Sequence, residues 1–298
     1  MILRRCFPAL LALSLSTVAC SWSSDGGLTR RYESETVTAE TPEGSWNGEP
    51  IRIDDEHGVV EIVGVPGKRN ITVRARFVAG ATSQEDANAA FDDLGRQLGP
   101  NLVKKDGVWT AGCFEASAWH GSVDPETTGC TSYRVEVPAG TLDAPLELQA
   151  RSNFGGVHAS GIVVKRLALS GPFGLVADVV PAKGADISLL ADDSLASGFC
   201  SSHLRVPMGT SFESVEMTVA VTNGARAGVD PADPSWWPGV EVEGVALAPR
   251  SGAYSGRFGP SSAPSEGASR AVVHAKIGKA TIGSAPVPSV GALNLCRS

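Results

Sequence analysis

The chain has 298 residues, a length sufficient for one or two domains with a buried core. It contains 34 glycines and 19 prolines, whereas aromatic residues make up 6% and charged residues 19% of the sequence. This composition is typical of short elements joined by many turns, and it argues against long helices and against a disordered polyelectrolyte. The net charge is −7, and basic residues cluster only in pairs such as Lys104 and Lys105, so we expect no nucleic-acid partner.

The first residues have the pattern of an export signal. Arg4 and Arg5 precede an uncharged, mostly apolar run of 14 residues at 6–19. This run is shorter than the ~18 apolar residues that a membrane-spanning helix needs. We therefore expect residues 1–19 to be a signal peptide and not a transmembrane anchor.

A short motif follows the apolar run. Thr17, Val18, Ala19 and Cys20 resemble the lipobox of bacterial lipoproteins, in which the cysteine is acylated and becomes the first mature residue. The resemblance implies lipid attachment at Cys20 and a lipid-anchored protein of the bacterial cell envelope. Because Ser21 follows the cysteine, the family pattern favours the outer membrane. The alternative is ordinary cleavage after Ala19 without a lipid.

Residues 20–30 are rich in Ser, Asp and Gly, which predicts a lipidated tether. One continuous body is expected from residue 31 to 298. Its first part, 31–145, has β-branched segments at intervals near ten residues, and these predict a β meander. The predicted strands of this part lie at 31–38, 51–53, 59–63 and 71–77.

One helix is predicted within the meander, at 84–98. Ser83 is a suitable N-cap, Asp86 stands three residues later, and apolar residues then share one face until Gly99 and Pro100. A charged loop is the alternative for this stretch. Immediately afterwards, 103–110 predicts a hairpin, because Asp106 and Gly107 supply the positive φ angles of a tight reversing turn.

The cysteines indicate a disulfide framework. If Cys6 leaves with the signal and Cys20 carries lipid, four cysteines remain and can pair. Three pairings are formally possible, and proximity along the chain favours Cys113 with Cys130, which closes a disulfide loop, and Cys200 with Cys296. Zinc is the alternative, but no close Cys-Cys or Cys-His spacing supports it, so we expect no metal and no cofactor.

The second part of the body, 146–298, contains an internal echo. Residues 152–157 and 170–176 each carry Phe-Gly before an apolar pair, and the two phenylalanines are 19 residues apart. Repeats of this length with small residues at the turns are typical of a β-solenoid, in which each rung buries its apolar residues against the next. We therefore predict a mainly β protein with a β-solenoid or β-helix-like stack and one short helix inserted in the N-terminal half. A β-sandwich is the alternative.

The segments 50–64 and 71–75, with Val137 to Gly140 and the later Phe-Gly turns, resemble the bacterial putative-adhesin family. The family opens with a turn and Gly before an alternating strand, as Gly58 precedes Val59-Val60-Glu61-Ile62-Val63 here. The resemblance implies a β-solenoid on the cell envelope. This chain departs from the pattern in its acidic turn, its inserted helix and its cysteine-bounded loop.

Two local segments are candidates for chemistry. Residues 54–57, Asp-Asp-Glu-His, could hold a cation, but neighbours on a strand point to opposite faces, so we expect a solvated acidic turn. Trp236 and Trp237 stand among three prolines and form either an exposed binding platform or a cap over the end of the β core. Ala248 to Ser269 is expected to be a long loop because it is rich in Gly and Pro.

The sequence lacks several common catalytic and phosphate-binding motifs. It has no nucleophile elbow, no His-Glu-x-x-His pair and no phosphate-binding loop. We therefore expect a non-catalytic, adhesin-like envelope lipoprotein that presents a rigid β surface to a protein or polysaccharide partner, and no catalytic residue is assigned. The alternative is an envelope enzyme acting on polysaccharide, whose carboxylates the fold would bring together. The carboxylates considered are Asp178, Asp186, Asp192 and Asp193.

Overall fold

The structure is a computed structural model. It describes residues 30–55, 58–113, 123–153, 155–172, 174–191, 199–220, 239–243, 245–249, 252–260, 269–276, 278–286 and 296–297. The predicted signal peptide, most of the tether, Cys20, Trp236 and Trp237 lie outside these residues, as do Asp192 and Asp193.

The described residues are mainly β, with one helix, and their strands belong to one large curled sheet of 20 strands. The helix is α1 (Gln84–Leu98). The strands are β1 (Arg30–Glu33), β2 (Val37–Glu40), β3 (Ile51–Asp55), β4 (Val59–Val65), β5 (Thr72–Ala81), β6 (Val103–Lys105), β7 (Val108–Cys113), β8 (Val123–Pro138), β9 (Leu146–Ser152), β10 (Val157–Gly171), β11 (Leu175–Ala191), β12 (Phe199–Cys200), β13 (Ser202–Arg205), β14 (Phe212–Ala220), β15 (Gly239–Val242), β16 (Val245–Pro249), β17 (Gly252–Phe258), β18 (Arg270–Lys276), β19 (Lys279–Gly283) and β20 (Cys296–Arg297).

Two local predictions of the first part, the helix and the hairpin, are confirmed. Helix α1 covers the predicted residues, and the Ser83 hydroxyl accepts a hydrogen bond from the Asp86 backbone N–H at 3.1 Å. The hairpin of β6 and β7 turns at Asp106 and Gly107, whose φ angles are 51° and 80°. Both features depend on neighbours along the chain, which is why sequence identifies them.

The long sheet consists of two rows of parallel strands. The first row runs in the order β8, β4, the start of β10, the start of β11, β13, β19 and β15. The second row runs in the order β7, β3, β9, the end of β10, the end of β11, β18 and β14. Each strand segment of the second row is followed in the sequence by the first-row segment that occupies the same place in the order given above. The described residues therefore contain seven such pairs of strand segments, each of which we call a rung, and one core cluster takes side chains from both rows.

The Phe-Gly echo falls on neighbouring rungs. Val157 and Leu175, which follow the two copies, are direct partners in parallel register. Both are buried, with exposed fractions of 1% and 0%. The repeat thus marks the turns at which the chain passes from the second row to the first. The first of these turns contains Gly58, and we name the edge of the sheet formed by all of them the Gly58 corner.

Chain order and spatial order differ at both ends of the stack. The pair β7 and β8 follows β3 and β4 in sequence but lies outside it, and β14 with β15 lies outside β18 with β19. Antiparallel strands then continue the sheet beyond the outermost rungs. These strands are β6, β5, β1 and β2 at one end and β17 and β16 at the other.

The prediction of an uninterrupted loop from Ala248 to Ser269 is wrong. Strand β17 lies inside it and pairs with β14 from Val219 opposite Gly252 to Phe212 opposite Phe258. Its composition is poor in β-branched residues, so the strand depends on its partner β14 and not on its own propensity.

Candidate functional site

The Gly58 corner brings together two cysteines and a carboxylate. Asp55 ends β3 and Cys113 ends β7, and the two residues are direct partners in parallel register. Cys130 lies on β8 with its Cα 6.3 Å from that of Cys113, and the two cysteines form a disulfide. The carboxylate oxygen and the two Sγ atoms all lie within 4.8 Å of one another.

Asp55 is buried, with 2% of its surface exposed, so the expectation of a solvated acidic turn is wrong for this residue. The alternation of β3 explains its position, because Ile51, Ile53 and Asp55 share the inward phase. Beside it, burial raises the pKa of the Tyr133 phenol, and the charge of Asp55 raises that pKa further. The signal for this site in the sequence is that Asp55 continues the two-residue alternation of Ile51 and Ile53, although it belongs to the acidic turn.

The other predicted cysteine pair lies on short strands. Cys200 of β12 and Cys296 of β20 are direct partners in antiparallel register. Their backbones are therefore adjacent across the sheet. The disulfide between them stays a prediction.

The outer face of the first row carries ion pairs between neighbouring strands. Arg134 Nη1 lies 2.8 Å from Glu61 Oε2, Arg205 Nη1 lies 2.6 Å from Asp178 Oδ2, and Lys279 Nζ lies 2.6 Å from Glu241 Oε1. Each pair joins neighbouring strands, so the charges neutralise one another locally. Pairs of this kind, which are partly exposed, contribute little net stability.

Two histidines occupy the same outer face. His203 Nδ1 lies 2.8 Å from Thr281 Oγ1, and burial lowers the pKa of His203 from 6.5 to about 4. Burial also lowers the pKa of His158, whereas the charges of Glu61 and Asp178 act in the opposite direction. Both imidazoles are consequently neutral at pH 7 and act here as hydrogen-bonding or packing groups.

The outer face of the second row carries several exposed side chains, among them Gln149 and Glu216. We name it the open face and define it by the outward side chains of β9, the end of β10, the end of β11, β18 and β14. One transverse line of this face consists of side chains in register between neighbouring strands, all of them small or polar except Val272, and the exposed Leu190, with 46% of its surface accessible, lies beside that line. The line contains Gln149, Ala168, Ser188, Val272 and Glu216.

Charges on the open face are also mostly paired. Arg166 Nη1 lies 3.2 Å from Glu147 Oε2, and Arg270 Nη2 lies 3.5 Å from Glu216 Oε2. In the register of the strands, the exposed Asp186 stands between Arg166 and Arg270. The resulting surface is rich in hydrogen-bonding groups and carries nearly balanced charge.

The carboxylates considered for an enzyme do not come together where the structure describes them. Asp178 lies on the outer face of the first row and pairs with Arg205, whereas Asp186 lies on the open face. Both belong to β11, but the strand passes from one row to the other between them. These two carboxylates therefore do not face each other across a groove.

No protein-family model matches the chain, and no curated protein sequence matches it. Among solved structures, it is similar to a protein of Clostridium sporogenes ATCC 15579 described as a putative cell adhesion protein, with 11% sequence identity. The match covers 84% of this chain and 99% of that chain, with a TM-score of 0.46. A TM-score below 0.5 does not establish a shared fold. Within the described residues, no helix has the length and apolar character needed to cross a membrane.

Proposed function

We propose that this protein is a non-catalytic lipoprotein of the bacterial cell envelope, built as a β-solenoid, whose open face binds a protein or polysaccharide partner. Cys20 carries the lipid, residues 1–19 are removed on export, and the body stands on its tether at the outer membrane. The apolar run and the Thr-Val-Ala-Cys motif support the anchor, because acyl chains on one residue hold a protein at a bilayer without an apolar helix.

The observation that carries the binding role is the register of the open face. Five parallel strands place mostly small and polar side chains on one transverse line, in which Ala168 and Ser188 are neighbours and Val272 is the apolar member. Strand pairing fixes the backbone, so little conformational entropy is lost when a partner contacts this surface. Balanced ion pairs around the line favour a partner that forms hydrogen bonds over one attracted by net charge.

The anchor is tested by mass spectrometry of the mature N-terminus. We expect an acylated cysteine at position 20 and membrane-bound protein, and we expect Cys20→Ala to release the protein from the membrane fraction. Unacylated, soluble wild-type protein would refute the anchor.

The binding role is tested by photo-crosslinking in living cells. A benzophenone amino acid replaces Ser188 on the open face, and the matched control carries it at Ser132, which is exposed on the outer face of the first row. We expect a discrete envelope product from position 188 and a much weaker one from position 132. Equal yields from both positions would contradict the assignment of the open face.

A further inference from the structure

We propose that Asp55, Cys113 and Cys130 form a binding site for a thiophilic divalent cation such as Zn²⁺ when the disulfide between the two cysteines is reduced. The site is independent of the proposed binding role of the open face. It lies at the Gly58 corner, where β3, β7 and β8 meet.

The donor set suits the metal. Zn²⁺ binds cysteine thiolates at ~2.3 Å and carboxylate oxygens at ~2.0–2.2 Å, and a tetrahedral site with three protein ligands leaves one position for water. Two sulfurs on one tetrahedral zinc lie roughly 3.8 Å apart. The three ligand atoms already lie within 4.8 Å of one another, and the Cα atoms of the cysteines are 6.3 Å apart. Small side-chain rotations therefore suffice to form the site once the disulfide is open.

Burial strengthens the case for this set over an exposed acidic cluster. Asp55, Cys113 and Cys130 have exposed fractions of 2%, 5% and 2%. A carboxylate and two thiolates are costly to hold together in such a place, whereas a divalent cation compensates their charge. The ligands also sit on three strands whose backbones are held by sheet pairing, so only their side chains have to move when the metal binds.

As a consequence, the strands at the Gly58 corner can be cross-linked in either redox state. Under oxidising conditions the disulfide joins β7 to β8. Under reducing conditions the cation makes the same connection through the two thiolates and adds β3 through Asp55. The interchange needs a dithiol reductant, which supplies two electrons and two protons to the disulfide and is itself oxidised to a disulfide, and metal binding then releases the two thiol protons.

The experiment uses the full chain reduced with a water-soluble phosphine. The phosphine becomes its oxide by taking oxygen from water, and the two sulfurs become thiols. Excess reagent is removed without oxygen, and Co²⁺ is titrated as a spectroscopic probe. We expect one equivalent to produce sulfur-to-cobalt charge-transfer absorption, which one equivalent of Zn²⁺ removes, and we expect the oxidised protein to produce none.

Two conservative variants test the carboxylate. Asp55→Asn should weaken Co²⁺ binding by about tenfold or more, because it replaces a charged ligand by a neutral one. Asp54→Asn is the matched control, since the neighbouring Asp54 is paired with Arg52 at 2.6 Å on the outer surface, and it should bind as the wild type does. Equal affinity of all three proteins would overturn the role of Asp55.

Folding is followed by circular dichroism in the same samples. If reduction leaves the β signal intact, Zn²⁺ should raise the melting temperature of the reduced wild type but not of the double variant Cys113→Ser with Cys130→Ser. If reduction abolishes the β signal, Zn²⁺ should restore it in the wild type only. Absence of both charge-transfer absorption and a metal effect on folding would overturn the site.

Discussion

Gly155 lies directly against the backbone of Gly58 on the neighbouring rung. A Cβ atom added to Gly155 would stand 1.4 Å from the carbonyl oxygen of Gly58, and the latter residue has a φ of +97°. The two rungs therefore touch backbone to backbone at the corner, and only glycine permits that approach.

This contact predicts a large effect of a single methyl group. Gly155→Ala should lower the free energy of unfolding by more than about 2 kcal/mol, because the two backbones must separate. Gly99→Ala is the control, since Gly99 has a φ of −65° and no atom within 4 Å of its added Cβ. Urea unfolding of both variants measures the difference. Equal stability of the two would contradict the close packing of the rungs.

The neutral histidine on the first row predicts a pH dependence. His203 has a pKa of about 4 in the folded protein, below its value near 6.5 in the unfolded chain. The unfolded state therefore binds the proton first, and stability falls as the pH drops from about 6.5 to about 4. The difference approaches ~3 kcal/mol at the acidic end.

The measurement is the free energy of unfolding between pH 7 and pH 4 for the wild type and His203→Asn. Other groups titrate in both proteins, so the difference between them isolates His203. We expect the variant to lose less stability on acidification. Parallel curves for the two proteins would show that His203 titrates normally in the folded state.

We expect the core substitution Trp109→Phe to be tolerated. Its side chain is 8% exposed, and its indole N–H is buried with no hydrogen-bond partner within the structure as described. Trp109→Phe removes this unsatisfied donor, which offsets the loss of packing volume. We expect a change in the free energy of unfolding of less than about 1 kcal/mol, measured by thermal and urea unfolding. A loss above about 2 kcal/mol would mean that the indole N–H is satisfied.

The disulfide predicts a loss of stability when both cysteines are removed. Cys113 and Cys130 are 17 residues apart, and closing a loop of this length is worth ~3 kcal/mol in the chain-entropy model. We expect the double variant to serine to lose about this amount relative to the oxidised protein, both measured with a metal chelator present. An unchanged free energy of unfolding would indicate that the bond does not form in solution.

Sequence predicted the features that depend on near neighbours. The cap at Ser83, the turn at Asp106 and Gly107 and the Phe-Gly echo are all visible in a window of about 20 residues. The spatial order of the rungs does not depend on near neighbours, because long-range pairing is what places β7 and β8 outside β3 and β4. No local pattern encodes which rung is outermost.

The residues of the candidate site also include some that near neighbours in the sequence predict and some that only long-range pairing brings together. Cys113 and Cys130 were paired from proximity along the chain, and the structure places them at disulfide distance. The sequence predicts a solvated turn for Asp55 because consecutive residues on a strand point to opposite faces and do not converge on a cation. The inward phase of β3 continues to Asp55, and only the register with Cys113 shows what that phase brings together.

The open face is the proposed contact surface for the partner, and two arginine variants distinguish it from the outer face of the first row. Ala168→Arg places a long cation on the open face, and Ser132→Arg places the same side chain on the outer face of the first row. With the photoreactive residue held at Ser188, we expect Ala168→Arg to lower the crosslinked fraction of the anchored protein at least about tenfold, the effect of ~1.4 kcal/mol, and Ser132→Arg to leave it unchanged. Equal crosslinking in both variants, at matched abundance and folding, would contradict the account.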